Sequence, residues 1–301
     1  MLGECWMYVP HGILPAMITP MNADESLNLP ALRSQTRRFL DSRVHGLFCL
    51  GTNGEFYCLN KEEKITVMQT VLDEVRGEKP VCVGAGCVTT ADTVELAQTA
   101  QQLGAQAVSI ITPYFGQVGQ EELINHYKSV AAHVDISVIL YNIPGRTGNF
   151  IAPKTVEQLA KVPNIVAIKD SSGNFDNMLQ YLEITAREFP VLSGNDSLIL
   201  SVLQAGGVGG IAGTANLFPN KVADIYNYFK SGDMEQATIL QDGLREIRKC
   251  LSIGNPNSVI KRAALLLGLQ TGPIRSPFGG DYEHWDKVLN NCLHTHYEGW
   301  D

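Results

Sequence analysis

The stretch from Asn164 to Gly173, NIVAIKDSSG, decides the fold because an apolar run that suits a buried strand finishes on a lysine. Residues 165–168 carry no polar side chain, which is typical of parallel strands covered on both faces. Lys169 then stands where the strand ends, and residues 170–173 predict a loop. An ammonium group in such a place is costly unless it is paired or neutralised, so this lysine requires a reason.

Apolar strand-like runs alternate with amphipathic helical stretches along most of the chain. The alternation amounts to about eight strand–helix units and predicts an α/β fold, the (β/α)8 TIM barrel. A doubly wound open sheet is the alternative, but no G-x-G-x-x-G follows a strand and eight units exceed its usual number. Asn60 and Thr90 are predicted to cap two of the helices. The predicted helices lie near residues 30–41, 61–75, 90–103, 120–132, 153–161, 178–188, 198–204 and 220–230.

The pattern changes to helices alone after Gly232, near residues 235–252, 258–267 and 281–293. We therefore predict two parts: the barrel over residues 1–232 and a C-terminal helical extension, packed on the barrel, over residues 233–301.

Composition narrows the class of protein. The 301 residues are 45% hydrophobic and 18% charged, which suffices for a substantial core. A formal net charge of −8 without a basic run predicts no nucleic-acid partner, and no apolar run is long enough to predict a membrane role. Seven scattered cysteines form no C-x-x-C pair, and Cys49 and Cys82 lie in apolar runs as expected core residues. Residues 1–12 do not resemble a secretory signal, so a cytoplasmic location is predicted.

Barrel enzymes build their active sites from the carboxyl ends of the strands. The residues predicted there include one lysine, one arginine and several hydroxyls, but no histidine and no carboxylate cluster suited to a metal. Burial among apolar groups favours the neutral form of an amine, which can attack a carbonyl, so Lys169 is the candidate nucleophile. Tyr141, one strand earlier, can relay protons, and residues 51–54 (GTNG) can wrap a carboxylate with backbone N–H groups.

Each of these features also has a purely structural interpretation. A strand-end lysine is often an ion-pair partner, a lone tyrosine is usually a packing residue, and a glycine-rich loop is usually a turn.

Three motifs resemble those of the dihydrodipicolinate synthase/N-acetylneuraminate lyase superfamily of class I, Schiff-base pyruvate aldolases. They are GTNGEF at residues 51–56, YNIPGRTG at 141–148 and IKDSSGN at 168–174. The similarity continues through LSGND, GGIAGTAN and NPNSVIKRAALLLGL, so it covers roughly residues 10–275.

The resemblance implies a lyase that holds pyruvate as an imine on Lys169, with Tyr141 as acid and base. It places Thr52 in the catalytic group as well, where Thr52 and Asn53 bind the pyruvate carboxylate, and it puts the carbonyl of Ile211 beside the imine. Such enzymes need no metal and no organic cofactor, act on small molecules and are commonly homotetramers.

The reaction is less sharply defined by the resemblance. Arg146 matches the arginine that binds aspartate semialdehyde in the synthase branch. Asn53 replaces the usual second threonine of that branch, and Phe115 stands where the synthase carries a tyrosine contributed across a dimer interface. Phenylalanine has no hydroxyl and cannot pass a proton.

These departures favour a catabolic aldolase for 2-keto-3-deoxy sugar acids or related 4-hydroxy-2-oxo acids, with the synthase as the alternative. In that interpretation Arg146 holds the distal part of the aldehyde half, and Asn195 and Asp196 bind its hydroxyls. Asn195 and Asp196 equally suit a helix cap. Hydratase or dehydratase chemistry on the same imine and a non-catalytic barrel that binds a 2-oxo acid remain open.

Overall fold

The computed structural model of the protein describes residues 7–300, and its framework is a set of eight short strands. Every strand residue except Gly84 is buried, as the near-continuous apolar runs predict for parallel strands covered on both faces. The strands are β1 (Gly12–Pro15), β2 (Leu47–Cys49), β3 (Val81–Gly84), β4 (Ala107–Ile111), β5 (Ser137–Asn142), β6 (Ile165–Asp170), β7 (Val191–Ser193) and β8 (Gly209–Ala212).

The strands form a single sheet in the order β1-β8-β7-β6-β5-β4-β3-β2, and the pairs from β3 to β8 are all parallel. The first and last strands of this order, β1 and β2, are joined through Ala16, the residue that follows β1. The N–H of Ala16 donates to the carbonyl of Ala212 at 2.9 Å, and Ala16 forms a parallel bridge with Phe48. The predicted (β/α)8 barrel is therefore confirmed.

The helices follow the predicted alternation closely, and Lys61–Val75 has the predicted bounds. Among residues 7–300, no helix combines the length and hydropathy needed to span a bilayer. The helices are α1 (Leu29–Leu40), α2 (Lys61–Val75), α3 (Thr90–Gln102), α4 (Gln120–Ala131), α5 (Pro144–Thr147), α6 (Pro153–Leu159), α7 (Phe175–Ile184), α8 (Ile199–Gln204), α9 (Pro219–Ser231), α10 (Met234–Gly243), α11 (Arg245–Cys250), α12 (Pro256–Leu266) and α13 (Tyr282–His296).

The two predicted helix caps have different outcomes. Asn60 caps α2 through a capping box, because its side chain accepts from the N–H of Glu63 at 2.8 Å and its own N–H donates to the Glu63 carboxylate at 3.0 Å. The prediction for Thr90 is wrong by one residue. Thr89 has the extended backbone of a cap and accepts from the N–H of Asp92 at 3.1 Å, whereas Thr90 is already helical.

The predicted helix over residues 235–252 is wrong as a single element, since α10 ends at Gly243 and α11 begins at Arg245. The hydroxyl of Tyr297 stands in the break. It donates to the carbonyl of Gly243 at 2.6 Å and accepts from the N–H of Ile247 at 2.8 Å. In a continuous helix these two backbone groups would bond each other, so an inserted side chain replaces that bond.

The described chain divides into two compact units, residues 7–11 with 81–210 and residues 12–80 with 211–300. In the second unit, helices beyond residue 232 share one apolar cluster with residues of the barrel. The buried members include Ile18, Leu217 and Phe218 from the barrel and Trp285 and Leu289 from α13. The boundary predicted at residue 232 therefore stays a prediction. In the second unit, residues on both sides of that position share one core.

The predicted core cysteines are confirmed, since Cys49 and Cys82 are buried in β2 and β3. Cys5, and the part of the predicted signal-free segment that falls in residues 1–6, lie outside the described residues.

Candidate active site

Lys169 and Tyr141 are brought together by strand pairing in the first unit. Parallel strands β5 and β6 place Tyr141 opposite Lys169, and the Nζ atom of Lys169 lies 4.0 Å from the centroid of the tyrosine ring. Both residues are only 3% exposed. β6 continues to Asp170, one residue beyond the predicted end, so Lys169 is the second-to-last residue of the strand. The pairing sets the amine against the face of the tyrosine ring, and the relay by the Tyr141 hydroxyl stays a prediction.

Gly194, directly after β7, leaves room for the lysine side chain. A Cβ at position 194 would stand 1.9 Å from the Oγ of Ser171 and 2.9 Å from the Cε of Lys169. The N–H of Gly194 donates to the carbonyl of Asp170 at 2.7 Å, which joins the end of β7 to the end of β6. A side chain here would displace Lys169, so the position requires glycine.

Asp170 anchors the end of β6 immediately after the lysine. It is fully buried and accepts from the side-chain amides of Asn142 at 2.8 Å and Asn177 at 2.7 Å, and from the N–H of Ser172 at 2.8 Å. A buried carboxylate is stable only with such donors. The sequence analysis assigned Asp170 to a loop and missed this role. An acidic residue at the end of an apolar run was the signal, because it must find donors if the run is buried.

Arg146 lies on the short helix α5, after β5, and its side chain is exposed. Hydrogen bonds of two threonines hold the loop that carries Arg146. The hydroxyl of Thr112 donates to the hydroxyl of Thr147 at 2.8 Å, and Thr147 donates to the carbonyl of Asn149 at 3.0 Å. A rigid base therefore presents a guanidinium group at the carboxyl end of β5.

Asn149 shapes the loop after β4, a role that the sequence analysis also missed. Its amide donates to the carbonyls of Pro113 at 2.7 Å and Gly116 at 2.8 Å, and its oxygen accepts from the N–H of Val118 at 2.8 Å. Within this loop Phe115 has a left-handed backbone, with φ of 75°, and the residue is fully exposed. The network thus holds an exposed aromatic ring at the end of the loop.

Asn195 and Asp196 follow β7 and begin a single turn of 3-10 helix. The side chain of Asn195 accepts from the N–H of Ser197 at 3.1 Å, so the interpretation of Asn195 as a cap is confirmed. Asp196 is buried, at 3% exposure. A role of the two side chains on the aldehyde half stays a prediction.

In the second unit, Thr52, Asn53 and Gly54 form one turn of 3-10 helix after β2. The N–H of Gly54 donates to the carbonyl of Gly51 at 3.0 Å, and the Thr19 hydroxyl donates to the carbonyl of Gly54 at 2.9 Å. We call residues 52–54 the carboxylate turn, after its predicted ligand. Thr52 and Asn53 are partly exposed, whereas Gly54 is buried.

The Asn53 side chain packs against the residue that follows β8. A Cβ at Gly213 would stand 2.8 Å from the Nδ2 of Asn53 and 3.4 Å from the Cδ1 of Ile260. Ile211, whose carbonyl is a predicted site group, is the third residue of β8 and is 1% exposed. Thus Asn53 and the end of β8 are neighbours within this unit.

A buried ion pair lies next to the carboxylate turn and was missed by the sequence analysis. The Nζ of Lys261, on α12, is 3.0 Å from the Oε2 of Glu55, and both side chains are 1% exposed. Burial raises the pKa of the Glu55 carboxyl, against the opposing effect of the Lys261 ammonium, and burial lowers the pKa of Lys261. The two residues are 206 positions apart, so no local pattern joins them.

Comparison with known proteins gives a consistent result. The sequence matches the family described as the Dihydrodipicolinate synthetase family over residues 9–295. A protein named 4-hydroxy-tetrahydrodipicolinate synthase, from Desulforudis audaxviator, is 38% identical over 265 residues, which are 88% of this chain and 90% of that protein.

Solved structures agree with this match. A dihydrodipicolinate synthase from Thermotoga maritima has a TM-score of 0.92 and 31% identity, over 98% of this chain and 100% of that one. YagE, a prophage protein of E. coli K12 that belongs to the dihydrodipicolinic acid synthase family and was solved in complex with pyruvate, has a TM-score of 0.91 and 30% identity. That match covers 94% of this chain and 97% of the other.

Proposed function

The chain belongs to the dihydrodipicolinate synthetase family, and from this premise we propose that it cleaves 4-hydroxy-2-oxo acids reversibly through an imine on Lys169. It is a lyase of the Schiff-base pyruvate aldolase class. The products of cleavage in this proposal are pyruvate and an aldehyde, with 2-keto-3-deoxy sugar acids as the preferred substrate class.

One observation carries the proposal: the buried Nζ of Lys169 lies 4.0 Å from the centroid of the Tyr141 ring, on paired strands. In the condensation direction, the neutral amine attacks the keto carbon of pyruvate and the carbinolamine loses water to give an iminium ion. Tyr141 takes and returns the protons of these steps. Loss of a methyl proton then gives an enamine, whose carbon attacks the aldehyde carbonyl, and water finally releases the product from Lys169.

The carboxylate of the 2-oxo acid is assigned to the carboxylate turn. Thr52 supplies a hydroxyl and a backbone N–H, and Asn53 supplies a backbone N–H and an amide. Ile211 offers its carbonyl to the protonated imine nitrogen. The E. coli protein solved with pyruvate supports the choice of ligand, since it shares this family.

Phe115 favours an aldolase over a synthase. The predicted position of the synthase relay hydroxyl is occupied by a phenyl ring, and that ring is exposed. Aldol cleavage of a hydroxy acid needs the first-stage proton transfers at Tyr141 but no relay through position 115. Asn195 and Asp196 would bind the hydroxyls of the aldehyde half, with Arg146 at its distal end.

A second candidate function is 4-hydroxy-tetrahydrodipicolinate synthase, which condenses pyruvate with aspartate semialdehyde. Two observations favour it: the name of the relative from Desulforudis audaxviator, and Arg146, which stands exposed at the carboxyl end of β5 and suits a carboxylate.

A matched pair of assays separates the two candidates. Pyruvate release is measured from a panel of 2-keto-3-deoxy sugar acids, and pyruvate consumption is measured with aspartate semialdehyde at the same enzyme concentration. We expect kcat/KM to be highest for one of the sugar acids. A kcat/KM for aspartate semialdehyde that exceeds every member of the panel would assign the synthase instead.

We further propose a homotetramer that works in the cytoplasm. The ring of Phe115, fully exposed on a fixed loop, suits burial against a second copy of the chain. Sedimentation analysis should give about four times the 32.9 kDa of one chain, and a particle of one chain mass would exclude the tetramer.

A further inference from the structure

We propose that the ion pair of Glu55 and Lys261 positions the carboxylate turn and thereby sets the affinity for the 2-oxo acid. This inference rests on the proposed role of Thr52 and Asn53 in binding the carboxylate. Glu55 and Lys261 would touch neither substrate nor reacting atoms, so both are positioning residues.

The first step of the argument is the backbone at Glu55. This residue follows the carboxylate turn directly, and its N–H donates to the carbonyl of Thr52 at 3.2 Å. Its φ of 52° lies in the left-handed region, which a residue with a long side chain rarely adopts without external constraint. The constraint available here is the side-chain carboxylate, held by Lys261 at 3.0 Å.

The second step is the helix that carries Lys261. Lys261 lies on α12, and its own carbonyl accepts from the hydroxyl of Thr271 at 3.1 Å. The preceding residue, Ile260, reaches the same glycine, Gly213, that the Asn53 amide packs against. Helix α12 therefore reaches the carboxylate turn in two ways: Lys261 pairs with Glu55, and Ile260 packs against the glycine that the Asn53 side chain also contacts.

The third step concerns the energetic role of the pair. A fully buried ion pair contributes little net stability, because desolvation of both charges offsets their attraction, and an apolar pair of similar volume often does as well. The Oε1 of Glu55 has no hydrogen-bond partner among residues 7–300, so the carboxylate is not fully satisfied. Unlike an apolar pair, this ion pair fixes the direction from which α12 holds the carboxylate turn.

Positioning and simple structural support have different kinetic signatures. If the pair orients the carboxylate turn, its removal should weaken the capture of pyruvate while leaving imine formation at saturation intact. Misplacement of a binding group by a fraction of an ångström is enough for such an effect. If the pair only stabilises the fold, affinity should not change in the folded variant.

The test uses three variants of the full chain. Glu55→Met with Lys261→Met removes both charges and keeps the volume. Glu55→Gln keeps an oxygen that accepts from Lys261. Arg262→Met is the matched control, because Arg262 is the next residue of the same helix but pairs with Asp286 on α13, its Nε 2.6 Å from the carboxylate.

Imine formation is read by borohydride trapping of pyruvate on Lys169 over a range of pyruvate concentrations, with melting temperatures measured in parallel. We expect the half-saturating concentration to rise about 10-fold in the double Met variant, about threefold or less in Glu55→Gln, and not at all in Arg262→Met. The trapped fraction at saturation should stay at the wild-type value in all three.

A half-saturating concentration at the wild-type value in the folded double Met variant would overturn the inference. If that variant does not fold, Glu55→Asp decides, since its carboxylate is one methylene shorter; an unchanged value there would also overturn the inference. Failure of the wild-type protein to trap pyruvate at any concentration would overturn the proposed function and this inference with it.

Discussion

Lys169 is a buried amine whose surroundings match its proposed chemistry. The Tyr141 ring packs against the amine on one side, with 4.0 Å between Nζ and the ring centroid, and Gly194 on the other side leaves room for the lysine side chain. Asp170 cannot turn toward the amine without abandoning its amide donors. Tyr141 and Gly194 thus define where the lysine side chain lies, and the Asp170 carboxylate stays on its own amide donors.

Tyr141→Phe tests the proton relay at the level of a single atom. We expect kcat to fall by roughly 10²–10⁴-fold, because the variant keeps the ring against Lys169 and loses only the hydroxyl. Tyr181→Phe is the control. It removes a buried hydroxyl that donates to the carbonyl of Ile151 at 2.6 Å, which should cost about 1 kcal/mol of stability and leave kcat near wild type. A Tyr141→Phe enzyme with near-normal kcat in a steady-state assay would remove Tyr141 from the relay.

Sequence reasoning reached some of these residues and not others for a physical reason. Lys169 was found because a charge at the end of an apolar run is anomalous within ten residues of sequence. Glu55 and Lys261 were not found, because their pairing depends on the closure of the barrel and each looks like an ordinary surface residue alone. Asn195 was ambiguous, since one amide suits both a cap and a ligand, and the structure shows the cap.

At the scale of elements, the contact between α3 and α4 contains a buried histidine. The Nδ1 of His126 lies 2.9 Å from the hydroxyl of Thr90, and its Nε2 has no partner among the described residues. Burial lowers the pKa of His126 from 6.5 to about 4. The native contact therefore requires the neutral ring.

This histidine should make stability depend on pH. The ring takes up a proton near pH 6.5 in the unfolded chain but only near pH 4 in the native state. The stability that the neutral His126 ring allows is therefore fully present above pH 6.5 and is lost as the pH falls toward 4. The free energy of unfolding should fall by about 3 kcal/mol more in the wild type than in His126→Phe between pH 7 and pH 4. Urea unfolding at several pH values measures the difference, and parallel curves for the two proteins would contradict the assignment.

Helices were predicted best where their signals are local. The capping box at Asn60 fixed the start of α2, because both partners lie within four residues. The break between α10 and α11 depends on the hydroxyl of Tyr297, which is 50 residues away from Ile247. No periodicity within residues 235–252 could have revealed it.

At the scale of the whole molecule, the C-terminal helices share an apolar cluster with residues of the barrel. Ile18, Leu217 and Phe218 of the barrel lie in one cluster with side chains from α11, α12 and α13. Lys261, which neutralises the buried Glu55, also comes from beyond residue 232. The alternation of strands and helices predicted the barrel, but it carried no information on which faces these later helices would cover.

A chain that ends at residue 232 should therefore fail to fold. It would expose at least three large apolar side chains at roughly 1.5–3 kcal/mol each, and leave Glu55 without its cation, which together approach the whole stability of a typical domain. Circular dichroism and urea unfolding of the truncated chain measure this. A cooperative transition like that of the full chain would show that residues 1–232 are an autonomous domain.

The most direct test of the central claim is the identity of the residue that forms the imine. The wild-type protein is treated with pyruvate and borohydride, digested, and mapped by mass spectrometry beside a Lys169→Met variant treated in the same way. We predict one N-(1-carboxyethyl) group, on Lys169, and none in the variant. An unmodified Lys169, or an equal adduct on another lysine in both proteins, would contradict the account.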